Sequence, residues 1–173
     1  MPERIALFPA SFDPITNGHL DIIVRVLRMD IFDEIVLAVG VNPAKPPLFT
    51  VPERFDLLRL VIQDLPNNGC VRVEMLEGLM VEHARRLGAK AIIRGVRSPL
   101  DFEYESQMAF LNRHLAPEIE IAFFMADPKY AFLSSTLVKQ VAQMGGNLEG
   151  LVPEVVVRAL RERVETNRAD VRL

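Results

Sequence analysis

The run Ile35-Val-Leu-Ala-Val-Gly-Val41 constrains the architecture more than any other stretch. Its seven residues are far too few for a membrane span and lack the polar alternation of a strand with one wet face. A continuous apolar run of this length suits a strand buried on both faces, as in a parallel sheet covered by helices. The segment is read as part of a strand over Asp33 to Val41.

Four more segments have strand length and composition: Ile5 to Phe8, Cys70 to Met75, Ala89 to Ile93 and Glu120 to Met125. Helical patterns lie between and after them. Leu20 to Met29 carries apolar residues at 20, 22, 23, 24, 26, 27 and 29, a broad helical face. Thr50 followed by Glu53 is a capping-box pattern, with Pro52 in the permitted first turn. It opens a helix through Leu65 whose stripe is 57, 58, 60, 61 and 65. Met80 to Leu87 is a short helix closed by Gly88. Asp101 caps a helix to Arg113, another runs from about Thr136 to Met144, and Pro153 opens a last one to about Thr166. This alternation predicts an α/β fold, an open doubly wound parallel sheet of five strands, Rossmann-like, with extra C-terminal helices. Residues 1–166 are expected to form a single domain and 167–173 a polar, frayed tail.

Composition narrows the function classes. Half the residues are hydrophobic, which excludes a disordered chain and hints that a second copy covers some apolar surface. The net charge of -3 gives no basic footprint for nucleic acid. The lone Cys70 forms no internal disulfide, and no zinc-type spacing or signal-peptide pattern is present. A soluble, cytoplasmic chain without membrane or nucleic-acid partners is the expectation.

Neither Gly-x-Gly-x-x-Gly after the first strand nor a P-loop occurs, so those two phosphate-binding modes lose ground. The first loop takes their place. Phe8-Pro-Ala-Ser-Phe-Asp-Pro-Ile-Thr-Asn-Gly-His19 joins a strand to a helix start through Thr16 and Asn17, both good caps, and supplies a hydroxyl at Ser11 and an imidazole at His19. A capped loop with a surface histidine and an anion site at a helix N-terminus are both compatible with that spacing. Lys45, Arg94, Arg97 and the hydroxyls of Ser134 to Thr136 also follow strands, where ligands collect in such sheets. Their convergence would make a phosphate-handling cleft suited to in-line displacement, since no nucleophile–base pair is evident. The alternatives are ordinary ones. Arg94 and Arg97 would pair with Glu103 or Glu105, Lys45 would be a loop lysine, and Ser134 to Thr136 would cap a helix. His83 and His114 fit structural or surface roles, and Asp13 fits bracing its loop better than acting as a base.

The segment Ser11 to His19 resembles the signature of the nucleotidyltransferase superfamily. In order along the chain, further segments resemble the bacterial phosphopantetheine adenylyltransferase family: Asn42-Pro-Ala-Lys-Pro-Pro-Leu-Phe-Thr50, Gly78-Leu-Met80, Ile93-Arg-Gly-Val-Arg-Ser98, Asp101-Phe-Glu-Tyr-Glu105, Asn112-Arg-His114 and Phe132-Leu-Ser-Ser-Thr-Leu-Val-Lys139. The resemblance implies reversible transfer of the adenylyl group of ATP to 4'-phosphopantetheine, with Mg2+, by a cytoplasmic homohexamer of coenzyme A biosynthesis. It implies that His19, with Lys45 and Arg94, is catalytic. His19 would bind ATP phosphate and stabilise the transition state, Ser11 would contact the reacting phosphates, and Phe12 would lie alongside the nucleotide. Lys45 and Arg94 would hold the phosphate of phosphopantetheine, with Met80 along its arm. Gly95, Val96, Arg97 and Glu105 would line the ATP site. Tyr130, Ala131, Phe132, Leu133, Ser134, Ser135 and Thr136 would close over it. Magnesium ligands are not implied by any motif.

Three positions depart from the family pattern. Ala10 stands where glycine is usual, which would matter if that backbone had positive φ, and Gln140 stands where a glutamate is common. Ser11 replaces threonine but keeps the hydroxyl. A related transferase acting on nicotinate mononucleotide or a small alcohol phosphate is the nearest rival, opposed by the Lys45 loop and Gly78-Leu-Met80. A nucleotide-binding protein without turnover and a scaffold are the other classes.

Overall fold

The computed structural model describes residues 3–41 and 46–170; Lys45 lies outside them. The elements run β1 (Ile5–Ala10), α1 (Asn17–Met29), β2 (Glu34–Val39), α2 (Val51–Gln63), β3 (Val71–Met75), α3 (Met80–Leu87), β4 (Ala91–Val96), α4 (Pro99–Leu115), β5 (Glu120–Met125), α5 (Ser135–Gln143) and α6 (Glu154–Asp170). The five strands form one parallel sheet in the order β3-β2-β1-β4-β5. The expected doubly wound α/β fold is what the chain adopts.

The unbroken apolar runs are explained by burial on both sheet faces. Ala6, Phe8, Ile35, Leu37 and Val39 belong to a core shared with α1, α2, α5 and α6. Their neighbours Leu7, Val36 and Ala38 point the other way, into a second core with Val81 and Ala84 of α3. Alternate residues therefore serve different cores, and none of these positions is exposed.

Several boundaries differ from the sequence expectation for local reasons. α1 begins at Asn17, before Leu20, because Thr16 caps it through both halves of a capping box. α4 begins at Pro99 under a Ser98 cap, so Asp101 sits inside the first turn and does not cap it. β4 continues to Val96, which puts Arg94 on the strand itself. In α2 the buried positions are Arg54, Leu57, Leu58 and Val61, while Leu60 faces solvent. α6 runs on to Asp170, past Thr166.

The β1–β4 seam positions the site. Its register covers only Ala6–Ala91 and Leu7–Ile92, whereas β1 pairs with β2 along its full length. Pro9 has no N–H to extend the seam. A guanidinium N–H of Arg94 instead donates to the Pro9 carbonyl at 2.9 Å. The order of connections reverses at this seam, so a crevice opens beyond the strand ends there.

Candidate active site

A cleft of about 290 Å³ occupies that crevice. Phe8, Pro9, Ala10 and Ser11 form one part of its lining, with Arg94, Gly95 and Arg97 across the seam. Tyr130, Leu133, Ser134, Ser135 and Thr136 close a further wall, and His19 stands at the first turn of α1. Ala10 is extended, with its carbonyl accepting from Gly40 N–H at 2.8 Å, so alanine there carries no backbone penalty. Gly95 lies against α1: a Cβ there would come within 2.6 Å of Ile22 Cδ1.

His19 is held by its own helix cap. The Thr16 backbone N–H donates to Nδ1 at 3.1 Å, with Thr16 Oγ1 at 2.9 Å from the same nitrogen. A backbone N–H is always a donor, so Nδ1 must carry the lone pair and Nε2 the proton. Burial, followed by the nearby Arg97 and Arg94 charges, pushes the imidazole pKa down to about 4. At neutral pH His19 is thus an uncharged Nε2–H donor. Phe12 backs it. Its ring is buried, edge-on to His19 at 5.2 Å and to Phe8 at 5.8 Å, on a backbone with φ of 45°. Phe12 is thus buried behind the cleft and is not among its lining residues.

Both arginines carry carboxylate partners from α4. Arg94 Nε and Nη2 donate to Glu105 at 2.7 and 2.6 Å. Arg97 Nε donates to Asp101 at 2.8 Å and Nη1 to the Leu133 carbonyl at 3.1 Å. The ordinary pairing reading is therefore correct for Glu105, but Arg97 chooses Asp101 and not Glu103. Pairing does not exhaust a guanidinium's five N–H groups, and orientation by a carboxylate fixes the planar fork.

Other expected residues lie elsewhere. Val96 is fully buried, and Ala131 and Phe132 are exposed outside the cleft lining. Met80, the first residue of α3, packs partly against the second core and is not in the lining of this cleft. Ser134 Oγ caps α5 by accepting from Leu137 N–H at 3.1 Å, and Ser135 Oγ donates to the Pro14 carbonyl at 2.8 Å. His114 is exposed. His83 is buried, with Nδ1 3.0 Å from Arg86 and Nε2 3.2 Å from Glu74. Gln140, a further departure, is exposed on α5.

Sequence reasoning overlooked two cations. Arg54, only 4% exposed, donates to the carbonyls of Phe49, Ser11 and Gly40 at 2.7, 3.2 and 3.3 Å. Its signal was its spacing from Leu57, Leu58 and Val61, which sets a charge on the buried stripe of α2. Lys139 reaches Asp13 at 2.8 Å; it closes a run already noted but attracted no role. Asp13 braces its loop as expected, accepting from Leu48 and Phe49 N–H at 3.0 and 2.9 Å. Burial works against its charge, but the Lys139 ammonium and the two amides overcome it and hold its pKa below the usual range.

The chain is similar to known proteins over most of its length. A cytidylyltransferase-like family model matches residues 7–141. A phosphopantetheine adenylyltransferase of Desulforudis audaxviator (strain MP104C) is 53% identical over 160 residues, 92% of this chain and 95% of the relative. The chain belongs to the phosphopantetheine adenylyltransferase family. Another member, from Caldanaerobacter subterraneus subsp. tengcongensis, is 49% identical over 92% of this chain and 97% of its own. As a member of this family the protein is a nucleotidyltransferase enzyme. Among solved structures, Plasmodium falciparum nicotinic acid mononucleotide adenylyltransferase complexed with NaAD superposes with a TM-score of 0.71, covering 92% of this chain and 95% of that one. At 10% identity that likeness concerns the fold alone.

Proposed function

We propose that the cleft transfers the adenylyl group of ATP to 4'-phosphopantetheine, forming dephospho-coenzyme A and pyrophosphate. A phosphate oxygen of the acceptor attacks the α-phosphorus while the bond from that phosphorus to the bridging oxygen of pyrophosphate breaks. The convergence of His19, Arg94 and Arg97 at one strand-end cleft, in a chain 53% identical to a phosphopantetheine adenylyltransferase, carries this reading. In such a displacement the protein chiefly positions the reactants and stabilises spreading charge. His19 Nε2–H would donate to nonbridging oxygens without bringing its own charge, and the oriented guanidinium groups supply the positive field. Ser11, Lys45 and Arg94 would face the acceptor phosphate, with Met80 serving the pantetheine arm. Arg97, Gly95 and the wall of Tyr130, Leu133, Ser134, Ser135 and Thr136 would take ATP, Glu105 and Phe12 acting from behind.

Magnesium, implied by the family, has no protein-built cage among the described residues: no group of three or more His, Cys, Asp or Glu side chains could hold it. The carboxylates at the cleft are engaged by cations or amides. Mg2+ usually takes most of its ligands from phosphate oxygens and water. No described helix is long and apolar enough to cross a membrane. For assembly, read here as a homohexamer, what supports an interface is α4, whose residues Leu100, Tyr104, Phe110 and Leu111 are all at least half exposed.

Pyrophosphate release from ATP, measured with phosphopantetheine, nicotinate mononucleotide and glycerol phosphate in parallel, tests the assignment. Turnover with phosphopantetheine is expected. Turnover only with another acceptor would overturn it.

A further inference from the structure

Lys139 has no part in the transfer described above, yet it sits on the cleft and its side chain is 15% exposed. Its ammonium donates to Asp13 Oδ2 at 2.8 Å and to the Pro46 carbonyl at 3.3 Å. Asp13 is 5% exposed and also holds the Leu48 and Phe49 amides. Arg54 Nε stands 3.6 Å from its other oxygen. Neutralising one buried carboxylate needs one cation, and Arg54 is already there. A second desolvated cation is costly unless it makes something more than charge balance.

What Lys139 makes is a tie between the two sides of the cleft. It leaves α5, whose first residues form the wall of Ser134 to Thr136. Through Asp13 and Pro46 it reaches the segment that enters α2, where Pro47 lines the opposite side. Asp13 itself belongs to the loop that carries Ser11 on one side and leads to His19 on the other. We infer that Lys139 is a positioning residue which, through Asp13, fixes the spacing of the two walls and so aligns acceptor against ATP. The inference rests on the adenylyl-transfer reading. In-line displacement tolerates little misalignment; a shift of about 1 Å costs about 100-fold in rate.

The test is Lys139→Met in the full chain. Expected is a fall in kcat of about 30- to 100-fold, with KM for ATP and for 4'-phosphopantetheine each within about threefold of the parent, because each wall keeps its own contacts. Lys139→Arg, which keeps charge and reach, is expected to recover part of kcat. Asp13→Asn combined with Lys139→Met should be no worse than Asp13→Asn alone, since both act through one bond. A raised KM for either substrate with kcat intact would mean direct substrate contact and would overturn the inference. So would a lowered Tm with unchanged kinetics, or additivity in the double variant. Hydrogen exchange at the Leu48 and Phe49 amides gives a readout independent of substrate. Faster exchange in Lys139→Met is expected, and unchanged protection overturns the strut. If the parent released no pyrophosphate with phosphopantetheine, the activity reading would fail while the exchange measurement still decided the strut.

Discussion

The Thr16 backbone N–H donates to His19 Nδ1 at 3.1 Å, and this single bond decides which end of the imidazole serves the cleft. A capping box normally sends a Glu or Gln side chain back to the N-cap amide. Here a histidine does it, so the motif that starts α1 also sets a tautomer. Secondary structure and site chemistry are the same interaction.

The ionisation of His19 follows. In the ligand-free protein the imidazole should titrate near pH 4 and not near its ordinary 6.5. Its pKa is lowered on folding, so the unfolded chain binds the proton more readily between those values. Whatever stability this group contributes is complete above about pH 6.5 and is lost as pH falls towards 4. Imidazole 15N shifts would show a protonated Nε2 and a bare Nδ1 at neutral pH. Pyrophosphate, an anion in the cleft, should move the midpoint upwards; a midpoint near 6.5 without ligand would refute the assignment.

Replacing His19 by alanine removes a donor aimed at charge that develops during transfer. Expected is a loss of about 100- to 1,000-fold in kcat, the usual cost of one such donor. KM for ATP should change much less, and thermal melting should show a folded protein. Steady-state pyrophosphate release separates the two parameters.

Arg94→Ala should instead weaken acceptor binding. A hydrogen bond to a charged group is worth about 1.5–3 kcal/mol, which is roughly 10- to 150-fold in affinity. Calorimetry with 4'-phosphopantetheine reads it directly. Arg94→Lys should recover little, because a single ammonium cannot hold Glu105 and the Pro9 carbonyl together as the fork does.

Much of this was legible from the sequence. Ile35 to Val41 announced a two-faced strand because burial on both sides removes polar alternation, and alternate residues do enter two different cores. The positions of Ser11, His19, Arg94 and Arg97 after or near strand ends were enough to bring them together, since the fold collects strand ends. Tertiary bonds were not legible. Nothing local says that Asp101 will abandon its cap to hold Arg97, or that Ser98 will replace it. The buried arrangement of Asp13, Arg54 and Lys139 joins positions far apart in sequence, so spacing carries no record of it.

The last prediction concerns α4. Leu100, Tyr104, Leu111 and Leu115 recur at helical spacing along one side of it, and all are exposed in the single chain. An exposed apolar stripe of this kind marks an expected interaction surface, and a second copy is the occupant that family membership supports. Leu111→Glu should therefore cost a lone subunit little, within about 0.5 kcal/mol as for most surface changes. In an assembly it would bury an unpaired charge, and light scattering should show a smaller species. Asp101 and Glu105 leave the same helix towards Arg97 and Arg94. Dissociation should accordingly lower kcat/KM, measured as pyrophosphate release at equal subunit concentration. A Leu111→Glu protein of parental mass would show that the stripe is not the contact.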